Sequence, residues 1–130
     1  MIVYTVGTFD MLHVGHLRLL EHSQKLGSVV AAGVVHCYKP NKPVIPLEQR
    51  MQMLRALRCV DIVIPYYDLE YVSGCRTVAA DIFVVGEDWG TKAHNLAVEA
   101  YLLDQGSEIV KVQYDLRTSS TQIKQTVMAQ

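Results

Sequence analysis

The apolar positions of this chain follow two alternating rhythms. Short, nearly unbroken apolar runs occupy Ile2 to Val6, Val29 to Val35, Asp61 to Pro65, Ile82 to Val85 and Ile109 to Val112. Their β-branched and aromatic content reads as strands. Between them, apolar residues recur every three or four positions, the spacing of one helix face. Leu17, Leu19, Leu20 and Leu26 predict a helix from Gly15 or His16 to Leu26, stopped by Gly27. Leu47, Met51, Leu54 and Leu57 predict a second. A third is expected over Leu69 to Ala79, interrupted at Ser73-Gly74, and a fourth over Asn95 to Leu103, closed by Gly106. Ser119 or Ser120 reads as the cap of a last helix running toward Met128. Val29 to Val35 has no polar position, as a strand covered on both faces requires. Strands alternating with helices predict an α/β fold, a Rossmann-like three-layer sandwich on a five-stranded parallel sheet with right-handed crossovers.

Composition narrows the class. At 130 residues the chain suits one domain, residues 1–130, and half its residues are apolar against 19% charged, which excludes disorder. The formal net charge of −1 provides no overall field for nucleic acid or an anionic membrane, so any attraction for phosphate is local. Cys37, Cys59 and Cys75 are odd in number and widely spaced, which predicts reduced thiols in a cytoplasmic protein. No apolar run approaches the roughly 20 residues of a spanning helix, and no leader-like segment precedes the first strand.

The chemistry-bearing loops all follow strands, so the fold would gather them on one edge of the sheet, where open α/β sheets bind ligands. The first holds Gly7-Thr8-Phe9-Asp10-Met11-Leu12-His13-Val14-Gly15-His16, two glycines and two histidines at a strand-to-helix junction. A proline-rich loop with Lys39 and Lys42 follows the second strand, and Gly86-Glu87-Asp88-Trp89 follows the fourth. Arg117-Thr118-Ser119-Ser120-Thr121 follows the fifth. Cations and a helix start suit phosphates, and carboxylates suit a metal or sugar hydroxyls, so the inventory fits a nucleotide.

Gly7-Thr8-Phe9-Asp10 with His13-Val14-Gly15-His16 resembles the signature of the cytidylyltransferase-type nucleotidyltransferases. Ser119 to Lys124 resembles their second signature, and Gly86-Glu87-Asp88-Trp89 a segment typical of glycerol-3-phosphate cytidylyltransferases. The resemblance implies transfer of CMP from CTP to a small phosphorylated alcohol, glycerol 3-phosphate first, with release of pyrophosphate and with Mg²⁺ bridging the triphosphate. It implies that His13 and His16 donate hydrogen bonds to the triphosphate and that Lys42 or Lys39 reaches the phosphates. Thr8, Phe9, Gly15, Gly86, Asp88, Trp89, Ser119, Ser120 and Thr121 would bind nucleotide, and Asp10, Arg50 and Arg117 the acceptor. It also implies a homodimer. The same signatures occur in adenylyltransferases that use ATP, and a nucleotide-binding module without catalysis is the reading from another class.

Two positions depart from the family pattern. His36-Cys37-Tyr38 stands where an acidic residue is usual, and Arg117-Thr118 abuts Ser119 directly. Plainer roles exist for several residues. His13 and His16 would form a metal pair only with a third ligand, and none lies at a convincing spacing. Ser119 to Thr121 is in any case a helix cap, and Trp89 suits a packed turn.

Overall fold

The computed structural model describes residues 1–37, 43–86, 89–90 and 92–113. Among the described residues five strands and four helices alternate: β1 (Ile2–Gly7), α1 (Val14–Leu26), β2 (Val29–Val35), α2 (Leu47–Arg55), β3 (Ile62–Tyr66), α3 (Val72–Val78), β4 (Ile82–Gly86), α4 (Ala93–Gln105) and β5 (Glu108–Val112). The expected last helix, and with it Lys39, Lys42, Asp88, Arg117, Ser119, Ser120 and Thr121, lies outside the described residues. Every strand pair is parallel and the sheet order is β3-β2-β1-β4-β5.

Alternate side chains of the strands feed the two helical layers. Val30, Ala32 and Val34 pack with Leu20 of α1 and with Met51 and Leu54 of α2. Val3, Ile82 and Val84 meet Leu19 on the same face. Tyr4, Ala31, Phe83 and Val85 point the other way, onto Cys75 and Val78 of α3 and Val98 and Leu102 of α4. The three-layer α/β sandwich is therefore present, and it buries apolar side chains on both faces of every central strand.

The element boundaries differ from the sequence pattern for identifiable reasons. Asp61 precedes β3, because its carboxylate accepts the Val30 N–H at 2.8 Å. Asp81 does the same before β4, accepting the Ile2 N–H at 2.7 Å. Each aspartate thus ties the start of one strand to its neighbour. Pro65, which cannot donate to a ladder, is tolerated because β3 is an edge strand. Helix α3 begins at Val72, not Leu69: Asp68 and Leu69 have φ of 54° and 58°, left-handed values from which a right-handed helix cannot start. Ser73-Gly74 does not interrupt it. Gly74 and Gly33 face the Tyr4 hydroxyl from opposite sides, and a methyl group at either would overlap it. The glycine is there for close approach, not for a break. Among the described residues no helix is long and apolar enough to cross a membrane.

The chain moves from β1 outward to β2 and β3, then returns to place β4 on the other side of β1. That reversal opens a crevice at the carboxyl ends of β1 and β4, the usual ligand position of open α/β sheets. The loops after both strands flank it.

Candidate active site at the β1–β4 crevice

The histidine segment forms the start of α1. His13 is the N-cap, with extended backbone, and its Nδ1 accepts the Gly15 N–H at 3.0 Å. His16, at the third helical position, returns the favour: its Nδ1 accepts the His13 N–H at 3.2 Å. This is the reciprocal geometry of a Ser-x-x-Glu capping box, built from two imidazoles. The rings stack with centroids 3.9 Å apart and 23° between planes.

The cap decides the chemistry of both rings. An Nδ1 that accepts carries no proton, so each neutral imidazole holds its hydrogen on Nε2, the far edge of the ring. Burial lowers the pKa of both, and the neighbouring His13 lowers His16 further, to about 4. Near neutral pH the site therefore carries two neutral N–H donors at the positive end of a 13-residue helix.

The same displacement makes stability depend on pH. Unfolded, His16 takes up a proton near pH 6.5; folded, it refuses one until about 4. Its contribution is complete above pH 6.5 and is lost as pH falls through that window, because the unfolded state binds more protons. Each unit of displacement is worth about 1.4 kcal/mol, and solvent at the half-buried ring reduces the recoverable part to about 1 kcal/mol at pH 5. Urea unfolding at pH 7.5 and 5 should show this difference. His16→Gln, which keeps an acceptor at the third helical position, should flatten the slope.

Phe9 is buried, 2% exposed, and its ring lies 5.3 Å from that of His16. Its side chain supports the histidine from the core and leaves only its backbone for a nucleotide. Phe9 and Met11 have φ of 50° and 55°, an uncommon conformation for such side chains. Something must hold this segment in place.

Arg50, expected from the sequence to meet the acceptor, holds this segment through the backbone. It is 2% exposed, on α2 beneath the loops. Its Nε donates to the Ile45 carbonyl at 2.8 Å, one terminal nitrogen to the Thr8 and Val35 carbonyls at 2.8 and 2.7 Å, and the other to the His36 carbonyl at 3.0 Å. A guanidinium has five N–H donors in a rigid fork, and four are spent on backbone oxygens here. Asp10, the other residue expected to meet the acceptor, is 6% exposed, and its two carboxylate oxygens accept the Val44 and Ile45 N–H groups, each at 2.9 Å. Together they lock the histidine segment to the end of β2 and to the chain that follows the lysine loop.

Across the crevice, Gly86 and Trp89 line a cavity of about 260 Å³ with Val6, Tyr71, Lys92, His94 and Asn95. The Trp89 indole donates to Glu99 at 2.9 Å and packs edge-on to Phe83, centroids 5.6 Å apart. Gly15 is buried at the cap. Tyr71 and Asn95 were not singled out from the sequence; the one available signal was a helix start without a Ser, Thr or Asp cap. Among the described residues no three His, Cys, Asp or Glu side chains cluster in a way that would hold a metal ion.

The family model described as cytidylyltransferase-like matches residues 4–126. The bifunctional protein HldE of Pectobacterium carotovorum subsp. carotovorum (strain PC1) is 34% identical over 134 residues, covering 98% of this chain and 28% of its own. That of Yersinia pestis (strain Pestoides F) is 33% identical over 132 residues, covering 97% and 27%. The chain thus spans about a quarter of the length of these relatives. Among solved structures, a lipopolysaccharide core biosynthesis protein from Thermoplasma volcanium GSS1 superposes with a TM-score of 0.71 at 23% identity, over 88% of this chain and 96% of that one. Pantoate-beta-alanine ligase from Francisella tularensis, complexed with beta-gamma ATP and beta-alanine, gives 0.58 at 15% identity, over 95% and 67%. At these identities the two structures show a shared fold.

Proposed function

This chain belongs to the cytidylyltransferase-like family of nucleotidyltransferases, and from that premise we propose that it transfers a nucleoside monophosphate from ATP to a sugar phosphate, releasing pyrophosphate. The observation that carries the reading is the histidine cap. An acceptor phosphate oxygen is already anionic, so attack on the α-phosphorus needs no general base and no covalent intermediate. One P–O bond forms to the acceptor, the bond to the β-phosphate breaks, and the electron pair leaves with pyrophosphate. What the reaction demands is alignment and donors fixed where charge grows. Two imidazoles with their Nδ1 atoms occupied and their Nε2–H groups free are such donors. Because they are neutral and already oriented, they strengthen toward the transition state without a proton transfer.

The remaining roles are those the signatures imply. Thr8, Phe9 and Gly15 offer backbone, Gly86 and Trp89 bound the far side of the crevice, and Lys39 or Lys42, with Ser119, Ser120 and Thr121, would meet the triphosphate. Mg²⁺ would enter as the counter-ion of the triphosphate, whose own oxygens and water suit its coordination. A homodimer in the cytoplasm completes the proposal.

ATP and a sugar phosphate stand ahead of CTP and glycerol 3-phosphate because of the company the chain keeps. The pantoate-beta-alanine ligase that shares this fold is in complex with beta-gamma ATP, and the Thermoplasma volcanium protein is one of lipopolysaccharide core biosynthesis, a setting that a sugar phosphate suits. Pyrophosphate release, measured with ATP and CTP against aldose 1-phosphates and glycerol 3-phosphate, tests this directly. We expect turnover with ATP and an aldose phosphate. Turnover with CTP and glycerol 3-phosphate alone would replace that pair, and tight nucleotide binding without any pyrophosphate would leave a non-catalytic module.

A further inference from the structure

We infer that the outward face of α4 pairs two copies of this chain across a two-fold axis, with the helices antiparallel. Leu96 of each copy then packs on the partner's Leu103, and Lys92 of each meets the partner's Asp104. This rests on the homodimer in the reading above and adds its interface; the transfer reaction is independent of it.

Helix α4 is apolar on two faces. Val98 and Leu102 are buried in the core on one side. On the other side Ala93, Leu96, Ala97, Ala100 and Leu103 are all exposed, and spacings of three and four residues align them in one stripe. Leu103 is 82% exposed, the most of any large apolar side chain among the described residues, and Leu96 is 51% exposed. The outward faces of the two helices on the opposite layer differ. Arg18, Glu21 and Lys25 are exposed on α1, and Glu48, Gln52 and Arg55 on α2. Water-facing helices carry such residues, whereas a helix apolar all round is a covered one.

The charges at the ends of the helix identify the occupant. Helix α4 has no acidic residue in its first turn and no basic one in its last. Instead the exposed Lys92 stands at the N-cap and the exposed Asp104 in the last turn. Each sits beside the end of the helix dipole that repels it. An antiparallel copy reverses both misplacements. Its negative C-terminal end, with Asp104, comes to Lys92, and its positive N-terminal end, with Lys92, comes to Asp104. A parallel copy would set like charges together. The two residues are about 18 Å apart along the axis at 1.5 Å per residue. Both pairs can therefore form at once, while the alanines between them let the axes approach to about 8 Å. An unrelated helix would need the same reversed charges; a second copy supplies them by symmetry. Lys92 also lines the crevice after β4, so the partner's Asp104 arrives at the rim of the active site.

Sedimentation equilibrium on the full chain should give twice the 14.6 kDa of one copy. Leu103→Glu should weaken self-association about a hundredfold or more, because a two-fold axis counts each substitution twice. Its circular dichroism should match the wild type, since the side chain is exposed in the single copy. Lys92→Glu alone and Asp104→Lys alone should each weaken association about tenfold, since each sets two like-charged pairs across the axis. Both effects should shrink in high salt. Mixing Lys92→Glu chains with Asp104→Lys chains restores both opposite-charge pairs, so the mixture should associate as the wild type does. A dimer unaffected by Leu103→Glu, or single variants that mixing does not rescue, would overturn this face and leave the homodimer to another surface. A wild type that stays monomeric at micromolar concentrations would overturn the face and the homodimer together. Neither result touches the transfer reaction, which pyrophosphate release decides.

Discussion

Arg50→Met should be the most damaging single substitution on the α2 layer, lowering stability by about 3–5 kcal/mol, the range for removing one member of a buried charged network. Methionine keeps the length and the apolar stem but removes every donor. The carbonyls of Thr8, Val35, Ile45 and His36 would then lose the guanidinium that binds them, and the buried Asp10 carboxylate would lose its neighbouring cation. Phe9 and Met11 hold left-handed backbone only while the surroundings dictate it, so the histidine segment should relax as well. Pyrophosphate release should fall by about a hundredfold or more even at a temperature where the variant stays folded, because misplacement by an ångström can cost that much. Arg50→Lys should recover only part of both losses: an ammonium is a point donor and cannot span four carbonyls with a planar fork. Urea unfolding beside a pyrophosphate assay measures the two effects. If Arg50→Met unfolds within 1 kcal/mol of wild type and changes only the acceptor KM, the residue contacts acceptor after all.

That arginine also shows where the sequence is readable and where it is not. Strands β2 and β4 are legible because both faces are covered, which leaves no polar position to obscure the run. Gly106 closes α4 with φ of 73°, as a glycine after a periodic stretch predicts. Pairings across the fold are another matter. Arg50 and Thr8 are 42 residues apart and Arg50 and Val35 are 15, so nothing local distinguishes this buried arginine from the exposed ones that helices usually carry. Asp10 hides its structural partners for the same reason: nothing near a carboxylate in a signature loop announces that Val44 and Ile45, more than 30 residues on, donate to it. The histidines were legible as a motif, but the motif does not contain the reason for two of them. One caps the helix, the other caps the cap.

His16→Glu separates those two jobs. Glutamate at the third helical position is the usual partner in a capping box, so its carboxylate should accept the His13 N–H as the imidazole does, and its charge suits a helix start. Stability at pH 7 should stay within about 1 kcal/mol of wild type. The same carboxylate removes the Nε2–H donor and sets a negative charge against the incoming triphosphate. Loss of one preorganised donor costs about 10²–10³ in kcat, and repulsion of the nucleotide should add a rise in its KM. His16→Ala makes the comparison complete. It lacks the acceptor for His13 N–H, so it should lose about 1 kcal/mol of stability along with the catalytic factor, but without the added rise in nucleotide KM. A reciprocal cap whose only function were structural would give the opposite order: activity surviving in the glutamate variant and failing in the alanine one. Thermal unfolding and initial rates on the same two preparations distinguish these outcomes. The expected pattern, a stable and inactive glutamate variant, would place the unused edge of the His16 ring, and not the helix start it secures, at the centre of phosphoryl transfer.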